Sequence, residues 1–457
     1  MTAVLWLRRD LRLDDHPALH AAAEDGPVLA LFVRDPRLAG AGDARRSRLE
    51  ASLAAFDAAT EGALVVRSGD PAEVVASVVA EAGARSVHVT GEFTPYARGR
   101  DRRVADRLGE DAIPMAASGT PYVVRPGTVL NKSGSPYQVF TPFSRAWRDR
   151  RVDPPLPRPR GLRWRRSVDS EGLDADLLER GRSFGPFGEE AALERWRDFA
   201  ATSLDRYSEL RDRPDLDGTS RLSVHLKHGE IHPRTLLAEV AARGAGSKGA
   251  RTFVTELAWR EFYADVLWHR PDSAWGDLRD ELARIRYDTG PEAEALVDAW
   301  RRGRTGYPFV DAGMRQLLET GWMHNRVRMV TASFLVKDLH VWWPVGARHF
   351  LDHLVDGDLA SNNHGWQWVA GTGTDAAPYF RVFNPVSQGK KFDPDGDYVR
   401  RWVPELAHLP GSAAHEPWGH PDGYEAAYPQ PIVAHDDERK DALDRYQQAR
   451  GQASRST

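Results

Sequence analysis

Cysteine is absent from all 457 residues. That removes disulfides, thiolate nucleophiles, iron–sulfur clusters and cysteine-ligated zinc from the available chemistry, and it fits a reducing cytoplasm. No run reaches the roughly 18 uninterrupted apolar residues of a membrane span. The opening Met1-Thr-Ala-Val-Leu-Trp-Leu-Arg-Arg-Asp10 has no basic segment leading into an apolar one, so no secretory signal is expected. These absences predict a cytoplasmic chain with no membrane partner. Neither an internal repeat nor a long heptad seam is visible, so a monomer without an obligate protein partner is expected. There is no phosphate loop, and no G-x-G-x-x-G follows the first strand-like run. No charge sign dominates: the formal net charge is −4. As an average this argues mildly against nucleic-acid binding, but averages hide patches.

One such patch is present. From Arg301 to Arg348 there are eight Lys/Arg against three acids, and ten of the 15 tryptophans lie between Trp259 and Trp402. Basic surface interleaved with aromatics is one signature of binding unstacked bases; a solvated helix face over a large core is the plainer reading.

In the first 125 residues, Val4–Leu7, Val28–Val33, Leu64–Arg67 and Val87–Thr90 read as buried strands. Between them, Pro71–Glu81 reads as a helix with Asp70 as N-cap and Pro71 in its first turn. Alternating strands and helices predict a parallel α/β sheet over 1–125. Residues 126–195 read as a connector that includes the proline run Asp153–Arg160, unfit for helix or central strand. From 196 onward helical periodicity dominates to about residue 445, and the last dozen residues look frayed.

Four constellations could carry chemistry. Glu256, Trp259, Arg260 and Tyr263 fall at i, i+3, i+4 and i+7, one helix face joining a carboxylate, a flat aromatic and a guanidinium. That suits stacking a planar base and bonding its edge; an amphipathic helix with a surface salt bridge explains it equally. Asn325, Arg328 and Met329 share another face, running into apolar Val330–Val336. A guanidinium there needs a partner, and Asp356-Gly-Asp358 could supply one. A calcium loop at that turn fails for want of a glutamate at the twelfth position. Trp342, Trp343, Trp366 and Trp368 form either core or a redox or stacking array. Thr219, Ser220, Arg221, Leu222 and Ser223, with Tyr207 and Arg211 upstream, make a weak phosphate-binding cluster.

Together these segments resemble the class I cyclobutane pyrimidine dimer photolyases of the photolyase/cryptochrome superfamily. The resemblance runs from Trp6-Leu-Arg-Arg-Asp to Tyr428-Pro-Gln-Pro and is densest from Thr305 to Pro385. It implies a Rossmann-like α/β domain plus a larger all-α FAD-binding domain over 196–457. It also implies light-driven repair of UV-damaged DNA by reduced FAD. On this resemblance Tyr207, Thr219, Ser220, Arg221, Leu222 and Ser223 bind the flavin's phosphates and ribityl chain. Arg328 and Asp356 pair beside its ring, Asp358 lies near the polar edge and Asn362 at N5. Glu256, Asn325 and Met329 contact the dimer, with Trp259 and Trp368 as its apolar walls. Arg211, Arg260, Arg326 and Arg381 match phosphate-contacting positions. A dimer must leave the stack to reach a buried flavin.

Two departures stand out. Trp366 and Trp343 match the inner members of the family's electron-transfer chain, but no tryptophan stands in register at the outermost place; Tyr287 is nearest, with Trp300 as an alternative. His364 stands where glycine is more usual. Tyr96, Arg98 and Asp101 resemble the antenna site of members that bind 8-hydroxy-5-deazaflavin; methenyltetrahydrofolate or an empty site are the alternatives. The rival functions are a cryptochrome-type light sensor, an enzyme for (6-4) photoproducts and a dark flavoprotein oxidoreductase. The first would want a long C-terminal tail, the second a histidine pair where Asn325 and Met329 stand, the third a pyridine-nucleotide motif.

Overall fold

A computed structural model describes residues 2–244, 246–375 and 381–453. The chain forms two compact units, Met1–Asp205 with Ser220–Pro271, and Arg206–Thr219 with Asp272–Thr457.

The first unit is built on five parallel strands in the order β3-β2-β1-β4-β5. They are β1 (Thr2–Leu7), β2 (Val28–Arg34), β3 (Leu64–Ser68), β4 (Ala84–Val89) and β5 (Met115–Ala117). Strand alternation divides the core cleanly. Val4 and Trp6 pack with Leu29, Leu31 and Val87 under the helices Pro71–Ala82 and Pro95–Glu110. Ala3, Leu5 and Leu7 pack on the other face with Val28, Ala30 and Phe32, under Pro17–Asp25 and Asp43–Ala59. Burial on both faces is why these strands read as continuous apolar runs. The expected Val87–Thr90 strand starts earlier, at Ala84, and ends at Val89. The Pro71–Ala82 helix starts where expected: the Asp70 side chain accepts the Ala72 N–H at 3.0 Å, and Gly83 closes it with a left-handed φ of 59°. Asp153–Arg160 forms neither helix nor strand.

Among its described residues the second unit has helices and no named strand. Pro308–Thr320, Asn325–Ser333, Trp343–His353 and Leu359–Ala370 surround one core that includes Trp300, Phe309, Phe334, Trp343, Phe350 and Trp366. The frayed end expected from the sequence is corrected: helix His435–Ala453 continues through it. Its polar composition hides two buried alanines, Ala442 and Ala449, and an arginine, Arg445, bonded to Asp288 at 2.7 Å. Residues 454–457 of that expectation lie outside the described residues. No described helix is long and apolar enough to cross a membrane.

Candidate functional site

In the first unit the helix Lys248–His269 carries the first constellation, started by Ser247, whose hydroxyl accepts the Ala250 N–H. The Trp259 ring lies flat on Phe140, 3.6 Å between centroids and 6° between planes, with Tyr263 tilted at 5.4 Å. Phe140, unnoticed in the sequence, thus sets the plane of Trp259. Arg260 donates to the Pro121 carbonyl at 2.9 Å and lies over the Tyr122 ring at 4.5 Å. Its guanidinium therefore also ties down backbone. Glu256 is half-buried on this helix.

Sequence reasoning missed Glu261 altogether. It is buried and accepts the Val124 N–H at 2.9 Å, the Val123 N–H and the Trp147 indole N–H. Burial pushes its carboxyl up to about 7 against these bonds. One helical turn on, Asp265 accepts the Gly127 N–H at 2.7 Å. The two carboxylates fasten the 121–127 segment to the helix that presents Glu256 and Trp259. No local pattern shows this, because the partners are backbone groups far away in sequence.

Of the suspected phosphate cluster, Ser220 accepts the Arg195 Nε–H on its carbonyl at 2.9 Å, and Arg221 has a left-handed φ of 51°. Ser223 opens the helix Ser223–His228, and Leu222 is buried. Tyr207 opens the short helix Tyr207–Leu210 of the second unit, to which Thr219 also belongs.

The antenna candidates sit near the carboxyl ends of the strands, where open α/β sheets bind ligands. Tyr96 donates its hydroxyl to Asp35, just past β2, and burial with that bond pushes it up to about 12. Asp101 accepts from Arg100 at 2.7 Å and from Arg8, just past β1, at 3.3 Å. Burial would raise Glu92, just past β4, but the charges of Arg100 and Arg8 win and hold it at about 2. Arg98 stacks on Trp268 at 3.9 Å.

In the second unit, Arg328 meets the partner its position demands: Nη2 to Asp356 Oδ2 is 2.8 Å, and Nε donates to the Met323 carbonyl at 2.8 Å. The other Asp356 oxygen, Oδ1, is buried with no hydrogen-bond partner among the described residues. A buried carboxylate oxygen without a donor is costly, so this atom fits a ligand that brings an N–H, as a flavin ring does. Asp358 caps the helix Leu359–Ala370 through the Ser361 N–H at 3.0 Å. Asn362 follows one turn in, its amide donating to the Ala347 carbonyl at 3.1 Å and to Asn363 at 2.8 Å. Trp366 shares its face at i+4.

His364 points elsewhere. Burial pulls it down to about 4, so it is neutral at pH 7, bonding the Ala360 carbonyl and the Ser273 hydroxyl, each at 2.9 Å. It tacks the back of this helix to the 271–274 turn. Asn325 is exposed and reaches the Met329 sulfur at 3.9 Å, both on the helix capped by His324. Trp368 is half-buried against the core. Arg326 pairs with Asp212 at 2.9 Å, and Arg211 approaches the same carboxylate at 3.9 Å. Arg381 is exposed.

Comparison with known proteins matches residues 3–160 to the family model of DNA photolyase and residues 253–448 to that of the FAD binding domain of DNA photolyase. A deoxyribodipyrimidine photo-lyase of Streptomyces griseus is 43% identical, the alignment covering 98% of this chain and 99% of that one. A class III photolyase from Agrobacterium tumefaciens superposes with a TM-score of 0.91 at 37% identity, covering 98% of each chain. A Synechocystis cryptochrome superposes with a TM-score of 0.88 at 27% identity, covering 97% of this chain and 98% of that one.

Proposed function

This chain belongs to the DNA photolyase family, and from that premise we propose that it is a light-driven lyase splitting cyclobutane pyrimidine dimers in UV-damaged DNA. The observation that carries the reading is end-to-end likeness to a deoxyribodipyrimidine photo-lyase at 43% identity. The finer assignment to class I rests on the motifs alone, since one solved relative is of class III.

Reduced FAD, when bound, supplies under blue light the electron that opens the cyclobutane ring and is then recovered. The chain's own residues hold and orient. Asp356 Oδ1 would accept an N–H of the flavin ring, with Arg328 holding the other oxygen of that carboxylate. Asp358 would serve the polar edge and Asn362 the N5 side, while Tyr207 and the 219–223 segment would hold the phosphates and ribityl chain. Glu256 bonds and polarises the dimer where charge develops, with Asn325 and Met329 against it. Trp259, its plane fixed by Phe140, and Trp368 offer apolar walls that replace lost base stacking. Arg211, Arg260, Arg326 and Arg381 give sequence-independent, salt-sensitive affinity for phosphates. Tyr96, Arg98 and Asp101 would hold an 8-hydroxy-5-deazaflavin antenna at the strand ends. The protein works as a monomer in the cytoplasm.

The substrate class is tested by giving the reduced, FAD-loaded chain two oligonucleotides under blue light, one with a cyclobutane thymine dimer and one with a (6-4) photoproduct. Only the first should be restored. Restoration of the second alone would overturn the assignment of Asn325 and Met329, and repair of neither would leave a sensor of the cryptochrome kind.

A further inference from the structure

A flavin that must work reduced needs a route by which electrons reach it, and any such route rests on the flavin site proposed for this chain. Trp366 and Trp343 are 3% and 0% exposed. Gly346, one helical turn from Trp343, lets that helix approach Trp366: a Cβ there would lie 2.2 Å from Trp366 Cη2. A positive hole on this buried pair needs an exit to solvent. Three aromatic side chains compete to be that exit.

Trp300 lies 6.1 Å from Trp366 between centroids, but it is 0% exposed and its indole N–H is spent on the Thr331 carbonyl. A hole there does not reach solvent, and its N–H is turned to a carbonyl and not to a base. Tyr287, nearest in sequence register, has a buried hydroxyl with no hydrogen-bond partner among the described residues. Burial and the charge of Asp277 push its ionisation upward, so oxidation would leave its proton with nowhere to go. Trp342 differs on both counts. It is 40% exposed, and its ring centroid lies 6.4 Å from that of Trp343. Asp277 receives both indoles, Trp343 Nε1–H at 2.8 Å and Trp342 Nε1–H at 3.4 Å. A carboxylate touching both N–H groups stabilises a hole on either ring and offers the proton a way out. The segment bearing Asp277 is itself held by the helix of Asn362 and Trp366: Gln367 bonds the Leu278 N–H at 3.0 Å and the Ser273 carbonyl at 2.7 Å, and Asn363 bonds the Ala274 carbonyl.

We propose that Trp342 is the terminal donor of a light-driven relay Trp366–Trp343–Trp342, with Asp277 as its positioning and charge-stabilising residue. One electron leaves the Trp366 indole for the photoexcited, oxidised flavin; Trp343 refills Trp366, and Trp342 refills Trp343. The oxidised Trp342 gives its Nε1 proton to water by way of Asp277. A thiol in solution returns one electron and one proton to Trp342 and is itself oxidised, pairing with a second oxidised thiol as a disulfide.

The test uses the full chain loaded with oxidised FAD under blue light and dithiothreitol, following loss of the oxidised flavin's absorbance. Trp342→Phe should slow photoreduction by an order of magnitude or more, and Asp277→Asn several-fold. Tyr287→Phe and Trp300→Phe should photoreduce at the native rate. Transient absorption should show a thiol-quenchable tryptophan radical in the native chain, replaced in Trp342→Phe by fast return of the electron. Chemically reduced Trp342→Phe should repair dimers normally. Native photoreduction in Trp342→Phe, or its loss in Tyr287→Phe or Trp300→Phe, overturns the proposal. Native photoreduction in Trp343→Phe overturns the underlying relay as well, a distinguishable failure.

Discussion

Replacing Asp356 by asparagine exchanges one buried oxygen for an amide. The native side chain is 2% exposed; one oxygen meets Arg328 at 2.8 Å and the other has no partner among the described residues. The asparagine oxygen can keep the Arg328 bond, which places an N–H₂ donor where the unpaired acceptor stood. Two effects separate. Without ligand, the pair loses its charge assistance, but Arg328 is 25% exposed, so the loss is about 1 kcal/mol. With flavin, a bond to a buried carboxylate oxygen becomes a donor-to-donor clash, worth about 1.5–3 kcal/mol, or roughly 10–100-fold in Kd. Fluorescence titration of FAD into the ligand-free chain reads the second effect, and a urea melt without FAD reads the first. FAD binding within about threefold of native, whatever the melt shows, would refute the assignment of Oδ1 as a flavin acceptor.

Phe140→Ala removes the ring stacked on Trp259 and should cost about 3 kcal/mol of stability; collisional quenching of Trp259 fluorescence should rise, and unchanged quenching would contradict the stack. His16 and His232 are held at about 4 chiefly by burial, so they stay neutral while the unfolded chain takes up protons below about 6.5. Stability is therefore full above that pH and falls as pH drops toward 4, by on the order of 2 kcal/mol per histidine at pH 5; urea melts at pH 7 and 5 that coincide would refute this. Arg326→Ala should lower the slope of log K against log salt for duplex DNA by about 0.9, whereas an unchanged slope would mean that the Asp212 pair is its whole role.

Parts of this fold were legible for a definite reason. Strands buried on both faces announce themselves as apolar runs, and Asp70-Pro71 announces a helix start. β5 escaped because Met115–Ala117 is three residues at a half-exposed sheet edge, too short for any pattern. The last turns of the helix His435–Ala453, past residue 445, escaped because the side chain they bury is a small one, Ala449. The Arg328–Asp356 pair was legible because a guanidinium entering an apolar helix must find a carboxylate. Glu261 was not, because an acid on an amphipathic helix reads as solvated, and its partners, the Val123 and Val124 N–H groups, carry no side-chain signature. Arg260 shows the same blindness: the Pro121 and Leu226 carbonyls that it bonds are invisible to residue patterns. The exit proposed at Trp342 has no sequence signature, since only exposure and the shared Asp277 distinguish it from Trp300 and Tyr287.

The most direct test of dimer repair by this chain takes the purified protein with chemically reduced FAD and a defined thymine-dimer oligonucleotide. Thymine absorbance is followed under blue light and in the dark. Recovery in the light alone, lost or strongly slowed by Glu256→Ala, is the expected result. No recovery in the light, with FAD bound, reduced and the DNA bound, would contradict it.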